Sequence, residues 1–378
     1  MNWSTVQLGD VCTVVSGATP RTSDERNWDG DIFWATPKDI SKLNKKLLTR
    51  TERRITDQGL RSCSAQVLPI RSVLFSSRAP IGLVAINTVP MATNQGFKSL
   101  VVNSKKIDEN YLYWWLKSNR ALIEAKGVGA TFKELSKKIV EGISLPLPPL
   151  AEQKRIAAIL DKAEEIRRKR EEAIEKLDQL AQSVFLEMFG NDDCKKRRLD
   201  ELGDVKTGGT PPSSKEGMFG DEIPFITPGD LDSSVLPKRY LTKAGASNSV
   251  LVKKGSALVC CIGTIGKMGT AQVTSAFNQQ INAVEWGEEI DGVYGIFALR
   301  NIKQEIINNA SSTTLPILKK SLFQKLQIKT PPKAKQEDFA AKIHLLNNQG
   351  IIHKQSLETQ TALIASLQHQ AFTTGFDT

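Results

Sequence analysis

Residues 146–155 read PLPPLAEQKR and open a long, charged segment, IAAILDKAEEIRRKREEAIEKLDQL; residues 329–338 read KTPPKAKQED, and a second long stretch of helical character follows. The two proline-led starts lie 183 positions apart (329 − 146). Proline has no N–H to donate and a φ suited to a first helical turn, so a Pro-Pro pair just outside a helix ends a strand without wasting a donor. Glu152, close behind, is expected to help satisfy the free amides at the helix start. A joint of this kind, written twice, predicts a chain built twice.

Working outward from the joints, the duplication extends along the whole sequence. LGDVCTVVSGATP (8–20) returns as LGDVKTGGTP (202–211), DIFWATPKDI (31–40) as EIPFITPGDL (222–231), RRIT (53–56) as RYLT (239–242), and ATNQGF (92–97) as AFNQQI (276–281). The blocks keep their order, with small length changes between them, as in a duplicated domain whose loops have diverged. Within each copy, VLPIRSVLFSS and VLVKKGSALVCC read as buried strands. Residues 108–126 and 293–310 carry apolar residues at helical spacing.

The segments after the joints differ in kind. Ile156, Ile159, Ala163, Ile166, Arg170, Ala173, Leu177, Leu180 and Val184 alternate steps of three and four, a coiled-coil seam, and Phe339, Ile343, Leu346, Gly350, His353, Leu357, Gln360, Ile364, Leu367 and Ala371 do the same. Arg170 aligns with His353, so each seam carries a polar group at the same point. Gly350 predicts a kink or break near NNQG. The expected fold is α+β: two similar sheet-rich α/β domains separated by two long antiparallel helices, with pseudo-twofold symmetry. The expected boundaries are 1–145 and 191–330 for the domains, 146–190 for the central helix and 331–378 for the terminal one.

Of 378 residues 51 are Lys or Arg and 41 Asp or Glu, net +10. The excess is uneven: residues 1–145 carry +8 (21 against 13) and 191–332 carry +3 (18 against 15), whereas 146–190 carry −1 (8 against 9) and 333–378 are neutral (4 against 4). Basic domains joined by neutral helices point to a polyanion for the domains and to protein for the helices. The start, MNWSTVQLGDVC, has no basic segment followed by an apolar run, and no run is long enough for a membrane helix, so a cytoplasmic protein is expected. Five cysteines without CxxC spacing suit a reducing compartment. All three histidines fall in the last 35 residues, which leaves little from which to build a zinc site or a Ser-His-Asp arrangement. GTIGKMGT (263–270) fails as a phosphate loop, since Cys261 stands where a Gly is needed and Met268 where a Ser or Thr is. No Asn-Pro-Pro-aromatic tetrapeptide of an amino-methyltransferase is present. The chain alone reads as non-catalytic.

Two diverged basic units, each followed by a long helix opening with PLPPLAEQKRIAAILDKA or its echo, resemble the specificity subunit of type I restriction-modification systems, over essentially the whole chain. The resemblance implies two target recognition domains, each reading one half of a bipartite, asymmetric site on double-stranded DNA. It implies that the helices dock two modification subunits, which methylate adenine using S-adenosylmethionine, and that restriction (nuclease-translocase) subunits join that core; this chain then carries no cofactor of its own. KTPPKAKQEDFAAKI lacks the Leu-Pro-Leu run and the Arg-Ile pair, so the firmer partner contact is expected on the first helix, at Glu152, Arg155, Ile159 and Ile166. The rival class is a two-domain protein scaffold that binds no DNA; a self-contained methyltransferase or nuclease is opposed by the missing motifs.

Phosphate contacts are expected from the run KLNKKLLTRTERR, through Lys42, Lys45, Lys46, Arg50, Arg53 and Arg54, and from PKRYLTK, through Lys238, Arg239 and Lys243, with Arg239 aligned to Arg53. Base readers should differ between copies. Lys38 faces Gly229, Arg78 faces Ile262 and Gly96 faces Gln280; Arg78 and Gln280 are candidates for direct readout, and Lys38 is expected among the DNA-binding residues. Asn94-Gln95 and Asn278-Gln279 recur unchanged and read as turn or scaffold groups first and phosphate contacts second.

Overall fold

Each joint turns on a buried glutamine. In the computed structural model, which describes residues 3–129, 133–191, 193–212, 216–231, 237–311 and 315–376, Gln153 and Gln336 are fully buried. Gln153 Oε1 accepts the Asp108 N–H at 2.8 Å, and its Nε2 donates to the carbonyls of Lys106 at 3.0 Å and Pro148 at 2.8 Å. Gln336 repeats this with Asp291 N–H at 2.9 Å, Glu289 O at 3.0 Å and Pro331 O at 2.8 Å. The prolines fit because they offer carbonyls while leaving no N–H to satisfy. Asp108 and Asp291 in turn cap the helices Glu109–Ser118 and Gly292–Asn301, each accepting two backbone N–H groups. Tyr111 and Tyr294 donate their hydroxyls at 2.8 Å to the carbonyls of Pro146 and Lys329, the last residues of the strands that lead into the joints.

The chain divides into two compact units: residues 1–171 with 355–378, and residues 172–354. Each therefore holds one end of both long helices, Leu150–Phe189 and Lys333–Thr373. In the first unit a sheet runs Cys12–Ser16, Lys98–Val102, Val73–Phe75, Val84–Asn87 and Leu47–Leu48 in that order. In the second the order Gly203–Thr207, Ile281–Trp286, Ala257–Cys260 and Met268–Thr270 repeats its first four strands. Both units also pair two strands in parallel, Trp28–Ala35 with Met91–Thr93 and Ile223–Ile226 with Ser275–Phe277. The helices expected over 108–126 and 293–310 each break once, at Asn119 and Ile302. GTIGK (263–267) lies in the turn after Ala257–Cys260, with Gly263 and Gly266 at positive φ, and MGT forms the antiparallel strand Met268–Thr270 where a phosphate loop would open a helix.

The helix ends pack antiparallel inside each unit. In the first, Ile156, Ala157 and Leu160 share a core with Tyr111, Trp114, Ala371 and Phe376. In the second, Phe185 and Phe189 meet Phe339 edge to face at 5.5 and 5.4 Å between ring centroids, alongside Tyr294 and Phe297. The seam of the terminal helix lies where the heptad pattern predicts. The seam of the central helix does so except at Ile166 and Leu180, which are exposed while Leu160, Ala181 and Phe185 are buried. An α-helix has 3.6 residues per turn, so a strict 3.5 repeat walks off the buried face. Beside that face the ladder Glu164–Arg167–Glu171, at 2.9 and 2.6 Å, replaces apolar contacts. The break expected at Gly350 is absent, and the helix runs unbroken from Lys333 to Thr373. Among the described residues no helix is long and apolar enough to cross a membrane.

Two stability effects follow. Gln153→Ala leaves buried backbone groups without partners and should cost roughly 2–5 kcal/mol in the first unit, with Gln336→Ala doing the same in the second. Five of the six tryptophans lie in the first unit and only Trp286 in the second, so urea unfolding followed by tryptophan fluorescence should shift strongly for Gln153→Ala and weakly for Gln336→Ala. Nothing lies within 4 Å of a Cβ built on Gly350, so Gly350→Ala should raise the denaturation midpoint by the equivalent of about 0.5–1 kcal/mol.

Candidate nucleic-acid interface

The aligned arginines Arg53 and Arg239 are seated in the same manner. The Arg53 guanidinium lies 3.6 Å from the centroid of the Trp28 ring and 5.6 Å from that of Trp34. Arg239 lies 4.4 Å from Phe219 and 5.4 Å from Phe225. Register explains the match, since Arg53 pairs with Trp34 across strands while the Arg239 carbonyl accepts the Phe225 N–H. A guanidinium held against a ring face in this way is stabilised without using up its N–H donors, which leaves them available to an anion. Arg54 sits likewise over Phe33, at 4.5 Å. Sequence reasoning found the arginines but missed the aromatic seats, because Trp28 and Phe219 lie outside the matching blocks.

The other cations divide. Lys45, Arg50 and Lys238 are exposed. Lys38 and Lys42 both pair with Glu52, at 3.1 and 3.3 Å, and their hydrogen bonds hold that carboxyl below the usual range. Lys243 stands 3.9 Å from Glu222. Lys46 is turned the other way: its ammonium, half-buried, contacts Asp161 at 2.6 Å and Asn110 at 2.7 Å, and Asp161 also accepts from Trp114 Nε1 at 2.9 Å. The structure thus gives Lys46 to the attachment of the long helix.

The recurring dipeptides are scaffold. Thr36 and Thr227 each donate backbone N–H and hydroxyl to an aspartate three residues on, Asp39 or Asp230, at 2.8 and 2.6 Å in both units. Asn94 and Asn278 accept the N–H two residues later, at 2.9 and 3.1 Å. Gln95 and Gln279 each accept a hydroxyl, from Thr19 and Thr210, which ties the GATP and GGTP loops to these turns.

Arg78 and Gln280 lie at the edges of these scaffolds. Arg78 Nη1 is 3.7 Å from Glu134, and Gln280 Oε1 accepts from Asn278 Nδ2 at 3.0 Å. On the long helix, Glu152 meets Arg155 at 2.7 Å instead of capping the amides, and Arg155 donates to the Phe376 carbonyl at 2.8 Å. Ile159 packs against the core of the first unit, whereas Ile166 is exposed.

Burial pushes the Cys12 and Cys261 thiols up to about 12, far from a reactive thiolate. Among the described residues no group of three or more His, Cys, Asp or Glu could hold a metal ion.

Comparison with known proteins agrees with a twice-built reader. The profile of the family described as "Type I restriction modification DNA specificity domain" matches residues 1–176 and again 191–360. The MjaIX specificity subunit of Methanocaldococcus jannaschii is 26% identical over 92% of this chain and 88% of its own length. The EcoR124I/EcoR124II specificity subunit of Escherichia coli is 29% identical over 43% of this chain and 40% of its own. Among solved structures, the S subunit from M. genitalium superposes with TM-score 0.60 at 15% identity, covering 98% of this chain and 96% of that one. A chain from a type I system described for its complex assembly and conformational transition superposes with TM-score 0.62 at 18% identity, covering 99% and 98%. With two copies of the specificity domain across nearly its whole length, the chain belongs to the type I restriction-modification specificity family.

Proposed function

We propose that this chain is the DNA-recognition subunit of a cytoplasmic type I restriction-modification complex and that it has no catalytic role of its own. Each unit reads one half of a bipartite, asymmetric site on double-stranded DNA. The long helices set the spacing between half-sites and dock two modification subunits, which bring S-adenosylmethionine and methylate adenine; restriction subunits complete the assembly. The observation that carries this reading is the repetition of an exposed arginine on an aromatic seat, beside a turn scaffold of unchanged geometry, in two units whose remaining exposed side chains differ. Constant parts suit the constant phosphate backbone, and variable parts suit two different base sequences.

Arg53 and Arg239, with Lys45, Arg50, Arg54, Lys238 and Lys243, are read as phosphate contacts. Arg78, Gln280 and Lys38 are read as candidates for base contact, Lys38 by exchanging Glu52 for the DNA. Ile166 is the member of the expected partner set that remains open to a modification subunit.

A salt series of duplex binding by the complex with its modification subunits tests this reading. Affinity should fall steeply with salt, and each phosphate contact removed should reduce the log–log slope by about 0.9, so the double variant Arg53→Ala, Arg239→Ala should lower it by roughly 2 without changing sequence preference. Salt-insensitive binding, or a slope unmoved by the double variant, contradicts the assignment and favours a protein scaffold.

A further inference from the structure

At one place the two units share a backbone and differ in chemistry. In the first unit Arg78 and Glu134 form an isolated antiparallel bridge, next to which the Leu135 N–H donates to Ser77 O at 2.9 Å. In the second, Ile262 and Ile317 form the same bridge, next to which the Leu318 N–H donates to Cys261 O at 2.8 Å. The first bridge is ionic. Glu134 lies 3.7 Å from Arg78 and 3.6 Å from the nearly buried Lys98, and it faces a cleft also lined by Lys98 and Lys137. The second is neutral, with Asn282 in the place of Lys98 and with Leu315 and Ile317 exposed.

The two units also exchange the backbone position from which this place is filled. Gly96 carries no side chain, and a Cβ built on it would stand 3.0 Å from Asn94 Oδ1, 3.4 Å from Pro37 Cγ and 3.8 Å from Arg78 Cγ. In the second unit the position equivalent to Gly96 is Gln280, while the position equivalent to Arg78 is the shorter, neutral Ile262. A Cβ built on Gly263 would stand 4.0 Å from Gln280 Nε2 and 3.8 Å from Leu315 Cδ1, so the glutamine amide and the exposed leucine flank one spot. Arg78 projected past a glycine in one unit corresponds to Gln280 projected past an isoleucine in the other.

We infer that this spot is the base-selecting seat of each unit, that Arg78 positioned by Glu134 takes the guanine of a G·C pair, and that Gln280 with Leu315 and Ile317 takes an A·T pair. The inference rests on the DNA-recognition reading above. Guanidinium is a pure donor, and guanine offers two acceptors, O6 and N7, in the major groove, where adenine offers one acceptor and one donor. A glutamine amide, both donor and acceptor, matches adenine, and an exposed aliphatic side chain matches the thymine methyl. Glu134 is a positioning residue: one carboxylate between two cations leaves the seat net positive while fixing the direction of Arg78. A half-exposed ion pair of this length adds little to stability, so its effect belongs to aim and not to folding.

The test is sequencing of methylated native DNA from hosts expressing the full complex. Gln280→Ala should relax one base position in the half-site read by the second unit, and a motif it leaves unchanged overturns the inference. Glu134→Gln, which keeps the side-chain shape, should leave a bipartite motif but raise methylation of sequences with the wrong base at one position of the other half-site by about tenfold. The double variant Arg78→Ile, Gly96→Gln should turn a G·C pair at that position into A·T. An unchanged motif with Glu134→Gln overturns the inference, as does a change in the same half-site that Gln280→Ala alters. A double variant that methylates nothing while Glu134→Gln keeps the wild-type motif also overturns it. A wild-type complex that leaves no bipartite motif overturns the recognition reading itself, which separates the two failures.

Discussion

A primary amide buried between a helix start and a sheet-borne loop is the constraint on which both halves of this molecule depend. Gln153 and Gln336 each satisfy one carbonyl of the proline-rich turn together with one N–H and one carbonyl of the segment that leads into the short helix. A buried polar group that is fully bonded rigidifies its surroundings, and one that is not costs the full desolvation penalty. Because one partner of each amide is the backbone of a helix-capping aspartate, the same clamp fixes the short helix, the end of the last strand and the departure of the long helix. The reading surface of each unit can then vary without disturbing its junction.

That separation of constant from variable runs through the structure. The threonine–aspartate turns, the asparagine turns and the aromatic-seated arginines are shared by both units. The ionic bridge at Arg78 and Glu134 faces an apolar bridge at Ile262 and Ile317. Duplication supplies two copies of one scaffold, and divergence at a few exposed positions gives each its own preference.

Much of this was legible in the sequence because duplication is a comparison carried within a single chain. The ordered blocks revealed the two units, and the proline-led joints located both long helices. What escaped had physical reasons. Gln153 reads as an ordinary helix residue, since two of its three partners lie 45 and 47 positions away in the sequence and only the fold brings them together. The aromatic seats of Arg53 and Arg239 escaped because a cation–π pair has no fixed spacing. Lys46 counted as part of a basic run, but a carboxylate on the long helix, Asp161, claims its charge. The seam of the central helix drifted because Ile166 and Leu180 fit a 3.5-residue repeat that the helix does not follow there.

The central claim, two units reading two unlike half-sites, is tested most directly by mapping methylated adenines in a host with and without this gene, its modification subunits present in both. The account predicts that one motif disappears with the gene, and that it consists of two different short sequences separated by a spacer of undefined sequence. Loss of a continuous palindrome, or of no motif at all, would contradict it.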